Sequence, residues 1–197
     1  MFYNYQLGTV RPGVFKASII PRPIAWISTM SKEGVTNLAP FSYFQAISDS
    51  PPMIMFVASP KNTANDIKDT AKNIEDTKEF VINIVSEQAK ELMMMSSVNL
   101  PYNESEIDIF DIPTKPSQIV AVPSVAISHI NIECTHVQTI EIENNKMIIG
   151  KVLGIHIDDE ILDNDKINIA KLRPLCRLGY DQYSIIDTTI SLEKPKS

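Results

Sequence analysis

The chain has 197 residues, 44% of them hydrophobic, enough to bury a full core within one domain. Its formal charge of −6 is spread without like-charge blocks and would repel a phosphate backbone, which argues against nucleic acid as a partner. Cys134 and Cys176 form no CxxC pair, the apolar run Pro51 to Ala58 is too short for a bilayer, and the first residues carry no leader pattern, so a soluble cytoplasmic protein with reduced thiols is expected.

From Met1 to Ile20 the pattern is weak: Gly8, Pro12 and Gly13 interrupt any helix, leaving a short helical turn near Val14 to Ala17. Pro21 and Pro23 force an extended approach to a first strand, Ile24 to Met30, because proline disfavours the helical region for the residue before it. Both faces of this strand are mixed, with Ile24, Trp26, Ser28 and Met30 on one and Ala25, Ile27 and Thr29 on the other. Ser31 to Gly34 reads as a turn and Val35 to Pro40 as the returning strand. Pro40 marks an edge or a break and leaves Phe41 to Tyr43 to present side chains to a ligand. Met53 to Ala58 suits a buried strand. Thr63 to Asp66 then has capping-box spacing for a helix from about Ala64 to Ile74. Phe80 to Val85 is another strand, and Ser86 is placed to cap a helix from Glu87 to about Val98, whose Met93, Met94 and Met95 read as core or dimer packing.

Leu100 to Pro123, rich in Pro, Ser and Asp, reads as an excursion loop with one amphipathic piece around Ile107 to Phe110. Val125 to Ile157 is strongly strand-like, with a hairpin turn at Asn144-Asn145 and a bulge or corner at Gly150 or Gly154. A short helix or turn around Ile167 to Leu172 and a closing segment from Arg173 to Tyr183 complete a single domain over residues 1–197. The fold class is mainly β with helices in the gaps, a closed or partly split antiparallel β-barrel.

Ser59 to Thr63 lies between a predicted strand and a predicted helix N-terminus, where free N–H groups and the helix dipole converge. Lys61 adds a charge and Ser59 and Thr63 add hydroxyls, a set that suits a phosphate monoester; the same residues also read as an ordinary N-cap and a solvated lysine. Ser28, Thr29, Asn37 and Ser42 are short polar side chains in strands that otherwise read as buried, so they face a polar cavity or pair with backbone. Trp26 reads as a stacking surface for a flat ligand or as core. His129 and His136 fall on opposite faces of an unbroken strand, and only Cys134 and His136 share one, so no metal site is expected there. No G-x-S-x-G, HExxH, GxGxxG or P-loop pattern occurs, and an enzyme with this sequence would rely on a cofactor.

Six blocks in order, PRPIAWISTM, NLAPFSYF, SPKNT, EFVINIV, IGKVLGIHID and RLGYDQY, resemble the flavin reductase-like family with the FMN-binding split-barrel fold, over most of Ile20 to Tyr183. The resemblance implies a Greek-key split barrel that binds FMN and uses NADH or NADPH as co-substrate. It implies that Trp26, Ile27, Ser28 and Thr29 with Asn37, Leu38 and Ala39 contact the isoalloxazine and ribityl, and that Ser42, Ser59, Lys61, Asn62 and Thr63 hold the phosphate. Arg177 and Tyr183 would approach the flavin from the other end, with His156 a candidate near the nicotinamide. A homodimer and a monooxygenase or other electron-acceptor partner are implied as well. A non-enzymatic FMN electron carrier, or a barrel that has lost its cofactor and serves as an interaction module, would share the same fold.

Overall fold

The computed structural model describes residues 2–8, 10–60, 68–193 and 195. A 3-10 turn at Tyr5–Leu7 and α1 (Val14–Ser18) precede β1 (Arg22–Pro23), β2 (Ala25–Met30), β3 (Thr36–Phe41), β4 (Phe44–Asp49) and β5 (Pro52–Ala58). Next come α2 (Asp69–Thr77), β6 (Glu79–Ile84), a 3-10 turn at Glu87–Ala89, α3 (Lys90–Met95), α4 (Glu106–Ile109), β7 (Thr114–Lys115) and β8 (Ser124–Val125). The long strands β9 (Ile130–Ile142) and β10 (Asn145–Ile157) follow, then a 3-10 turn at Asp159–Ile161, β11 (Leu162–Asp163), β12 (Lys166–Ile167), α5 (Ile169–Leu172), β13 (Leu175–Arg177) and β14 (Tyr183–Ile185).

The main sheet is antiparallel with the order β3-β2-β6-β9-β10-β5-β4, a crossed-over arrangement rather than a simple meander. It curls until β3 approaches β5, where the Phe41 and Phe56 rings lie 5.0 Å apart. Inside the curl, Ile27, Phe56, Phe80, Ile82, Cys134 and Ile148 form the larger core. Outside it, Trp26, Leu38, Val85, Met93, Val125 and Leu175 form a second core under α3 and the excursion. β2 is therefore covered on both faces, which accounts for its lack of a polar face.

Ser31 to Val35 closes the β2–β3 hairpin, with Gly34 at φ 87° and the Ser31 N–H donating to the Val35 carbonyl at 2.8 Å. The register of β9 against β10 shifts beside both Gly150 and Gly154. A Cβ on Gly150 would lie 2.4 Å from Phe80 Cζ, so the close approach of that ring requires a glycine.

Several boundaries differ from the sequence reading. β4 was not anticipated, because this edge strand exposes most of one face, including Ile47, and carries no apolar alternation. Helix α2 runs on to Thr77 and stops at Lys78 in the left-handed conformation, while the expected capping box at 63–66 lies outside the described residues. The helix expected over Glu87 to Val98 is a 3-10 turn followed by the shorter α3. Ser86 makes no capping bond there, since its backbone forms a bridge with Pro174 instead. Among the described residues no helix is long and apolar enough to cross a membrane.

Candidate functional site

The turn between β3 and β4 supplies the floor of a cleft. Pro40 lies on the edge strand of the sheet, and the Tyr43 carbonyl accepts from the Val57 N–H at 2.9 Å, so the chain changes direction with its peptide groups still paired. Two adjoining hollows share Pro40, Phe41, Ser42 and Ser97. The first, of about 220 Å³, is bordered by Lys16, Ala39, Tyr43, Ser59 and Lys68. The second, of about 270 Å³, is bordered by Ile24, Met94, Arg177 and Tyr183.

Arg22 binds the cleft to its surroundings. Its guanidinium is buried and donates to the Lys16 and Ile19 carbonyls, to the Leu178 carbonyl at 2.9 Å and, through Nε, to Ser42 Oγ at 3.4 Å. At the far end, Arg177 lies over the Tyr183 ring at 4.3 Å, donates to Tyr183 Oη and the Tyr180 carbonyl, and Tyr183 Oη donates to Met94 Sδ at 3.1 Å. The cleft thus has lysines at one end and a braced Arg-Tyr pair at the other. No Asp, Glu or His stands among its described lining residues.

Behind β3 lies a buried polar network. Asn37 donates to both Glu106 oxygens at 3.1 and 2.9 Å, and the Leu38 N–H donates to Glu106 Oε2 at 2.9 Å. Asn37 Oδ1 accepts from Thr70 at 2.7 Å and Thr29 at 3.4 Å, and Asn73 donates to Thr29 at 3.1 Å. Burial pushes the Glu106 carboxyl above its ordinary range, against the pull of the Leu38 and Asn37 donors. These partners lock the strand that carries the cleft.

The expected site residues divide accordingly. Ala39, Ser42 and Ser59 come together in the first hollow, and Arg177 and Tyr183 in the second. Trp26, Ile27, Ser28, Thr29, Asn37 and Leu38 are buried, and none lines the cleft. Trp26 is a core residue whose Nε1–H donates to Ser96 Oγ at 2.8 Å, so its indole offers no stacking face. Ser28 donates to the Pro123 carbonyl at 2.7 Å, and Thr29 and Asn37 serve the network just described. Phe41 is a core residue that also borders both hollows, and Ser42 and Tyr43 line the cleft beside it. His156 does not join these residues: it sits near the end of β10, nine residues beyond the Met147 that pairs with Val57. Lys61, Asn62 and Thr63 lie outside the described residues.

Lys16, Arg22, Lys68 and Ser97 were missed. Lys16 lies in a segment without periodicity, and no local pattern marks Arg22 as a hub, since its partners are three backbone carbonyls and the Ser42 hydroxyl. Lys16 and Lys68 place two cations at one hollow of a chain whose net charge is negative.

The family model described as flavin reductase like domain matches residues 17–182. A protein of uncharacterised function from Aquifex aeolicus is 38% identical over 166 residues, covering 84% of each chain. The crystal structure of nitrilotriacetate monooxygenase component B from Bacillus cereus superimposes with a TM-score of 0.86 at 30% identity, covering 93% of this chain and 97% of that one. Flavoredoxin of Desulfovibrio vulgaris (Miyazaki F), at 17% identity and a TM-score of 0.78 over 93% of each chain, shares the fold.

Proposed function

The chain belongs to the flavin reductase like domain family, and from that premise we propose that it is an FMN-binding oxidoreductase that takes hydride from NADH or NADPH. The observation that carries this reading is the two-lobed cleft along Ala39 to Tyr43, with Lys16 and Lys68 at one end and Arg177 and Tyr183 at the other. Its donor set fits a phosphorylated flavin: cations and the Ser42 and Ser59 hydroxyls for the phosphate, and apolar walls with an Arg-Tyr pair for a flat ring system. Lys61, Asn62 and Thr63 join the phosphate group of residues on the sequence reading alone. Ala39 and the β3 backbone would border the ring, held in place by Asn37 and Glu106 from behind.

FMN, when bound, would supply the redox chemistry for hydride transfer from a nicotinamide and for electron transfer to free flavin, oxygen or a protein acceptor. The protein's task is alignment and exclusion of water, which needs no acid-base pair and suits the described lining residues, none of them a carboxylate. Backbone N–H groups and Arg177 would stabilise negative charge developing on the ring.

A soluble cytoplasmic homodimer that supplies a monooxygenase completes the reading. The similarity to a monooxygenase component supports the partner. The half-exposed Met94 and Met95, beside a hollow of about 590 Å³ next to Tyr183, support a second copy on that face. Anaerobic titration of the FMN-loaded protein with NADH and then NADPH tests the activity through the flavin band near about 450 nm. Bleaching is expected, and the better donor shows the preference. A flavin that binds but stays oxidised would favour an electron carrier, a role that the shared flavoredoxin fold also accommodates; protein that takes up no flavin would overturn both.

A further inference from the structure

His129 immediately precedes β9 and Asp158 immediately follows β10, and the Asp158 N–H donates to the His129 carbonyl at 2.9 Å. The 3-10 turn that follows brings Glu160 back over the same point. His129 Nδ1 lies 3.1 Å from Asp158 Oδ2 and 3.0 Å from Glu160 Oε1, and the three atoms fall within 4.8 Å of one another. We propose that His129, Asp158 and Glu160 bind one divalent transition-metal ion, with Zn²⁺ the best match to one imidazole and two carboxylates.

Geometry favours this over a simple ion pair. Two carboxylate oxygens converge on a single ring nitrogen, and its one proton serves both only by being shared. Ligands about 2.1 Å from a tetrahedral ion stand about 3.4 Å apart, so the observed contacts need open by only a few tenths of an ångström. The outer partners also suit a metal site. His156 Nε2 at 2.9 Å and Lys115 Nζ at 3.5 Å engage Asp158 Oδ1, the oxygen turned away from His129. Gln88 Nε2 lies 2.6 Å from His129 Nε2 and donates to the Ile127 carbonyl at 3.3 Å; with its amide turned, at the cost of the Ile127 bond, it would accept from Nε2–H and leave Nδ1 free to ligate. The His129 side chain is 14% exposed and Glu160 70%, which gives a rooted ligand, a mobile one and an open route from solvent.

The ion would staple the two ends of the β9–β10 hairpin to the Asp159–Ile161 turn, away from the cleft, so its presence can be tested without flavin. Full-length protein stripped with EDTA and dialysed is titrated calorimetrically with ZnCl₂. One equivalent per chain is expected, weakened about a hundredfold or more in His129→Ala and about tenfold in Gln88→Ala. Glu160→Gln, on an exposed side chain that no core packing depends on, is the variant safest for folding and should also weaken Zn²⁺ and abolish its upward shift of the melting temperature. Absence of binding heat, or Zn²⁺ binding that is unchanged in His129→Ala and Glu160→Gln, would overturn the site.

Discussion

At the scale of single residues, the short polar side chains of β2 and β3 show how one residue type satisfies two readings. Ser28, Thr29 and Asn37 were legible as polar groups in buried strands, and they are buried; whether they face a cavity or pair with the protein depended on Asn73, Asn83 and Glu106, which lie far along the chain. Trp26 behaves the same way. Trp26→Phe removes the bond to Ser96, which itself donates to Met93, and is expected to cost about 2 kcal/mol in denaturant unfolding while FMN affinity is retained. Loss of FMN binding in the folded variant would return the indole to the flavin site. Glu133 gives a sharper case. Burial would raise its carboxyl, yet the Gln118, Val120 and Ile119 N–H groups donate to it at 2.8, 2.9 and 2.7 Å and hold it below its ordinary range. A depressed folded-state pKa gives stability that is fully present above the unfolded value of about 4.3 and is lost as pH falls through the folded one. Glu133→Gln should therefore cost about 2 kcal/mol at pH 7, with the gap to wild type closing below about pH 4 in paired unfolding curves.

At the scale of elements, the strands with strong apolar content were readable and the elements held by long-range partners were not. The β2–β3 hairpin, β5, β6 and the turn and closing end of the β9–β10 hairpin stand within a residue or so of their expected places because turn chemistry and β-branched runs specify them locally, while β9 begins at Ile130 rather than at Val125, which pairs in β8. β4 and the pairing of β1 with β13 depend on neighbours that no local pattern announces. Gly150 and Gly154 read alike in sequence, and both sit at register shifts, but they differ in what a methyl group would meet. Gly150→Ala drives a Cβ into Phe80, a fully buried ring, and should cost about 2 kcal/mol. Gly154→Ala meets only the tip of Ile119, which is 57% exposed and can move, so its unfolding midpoint should stay within about 0.5 kcal/mol of wild type. Equal losses at the two positions would show that the bulges, rather than Phe80, set the cost.

At the scale of the whole molecule, β2 contributes side chains to both cores, so the two are joined through one strand. Unfolding followed by tryptophan emission and by far-ultraviolet dichroism should give coincident transitions. FMN at a hundred times its dissociation constant should shift both by about 2.7 kcal/mol; separate transitions would show that the cores melt independently. The cleft was half legible for a reason at this same scale: Ser42 and Ser59 belong to contiguous blocks, whereas Lys16 and Lys68 reach it from segments that the fold, not the chain, makes adjacent. Arg22 gathers carbonyls from Lys16, Ile19 and Leu178 around one planar cation while it touches Ser42. The opening segment is thereby wired to the closing one, and trimming the chain before Arg22 would not shorten a tail: it would strand a buried cation beside the cleft and loosen Leu178, the residue next to Arg177, at the opposite end of the polypeptide.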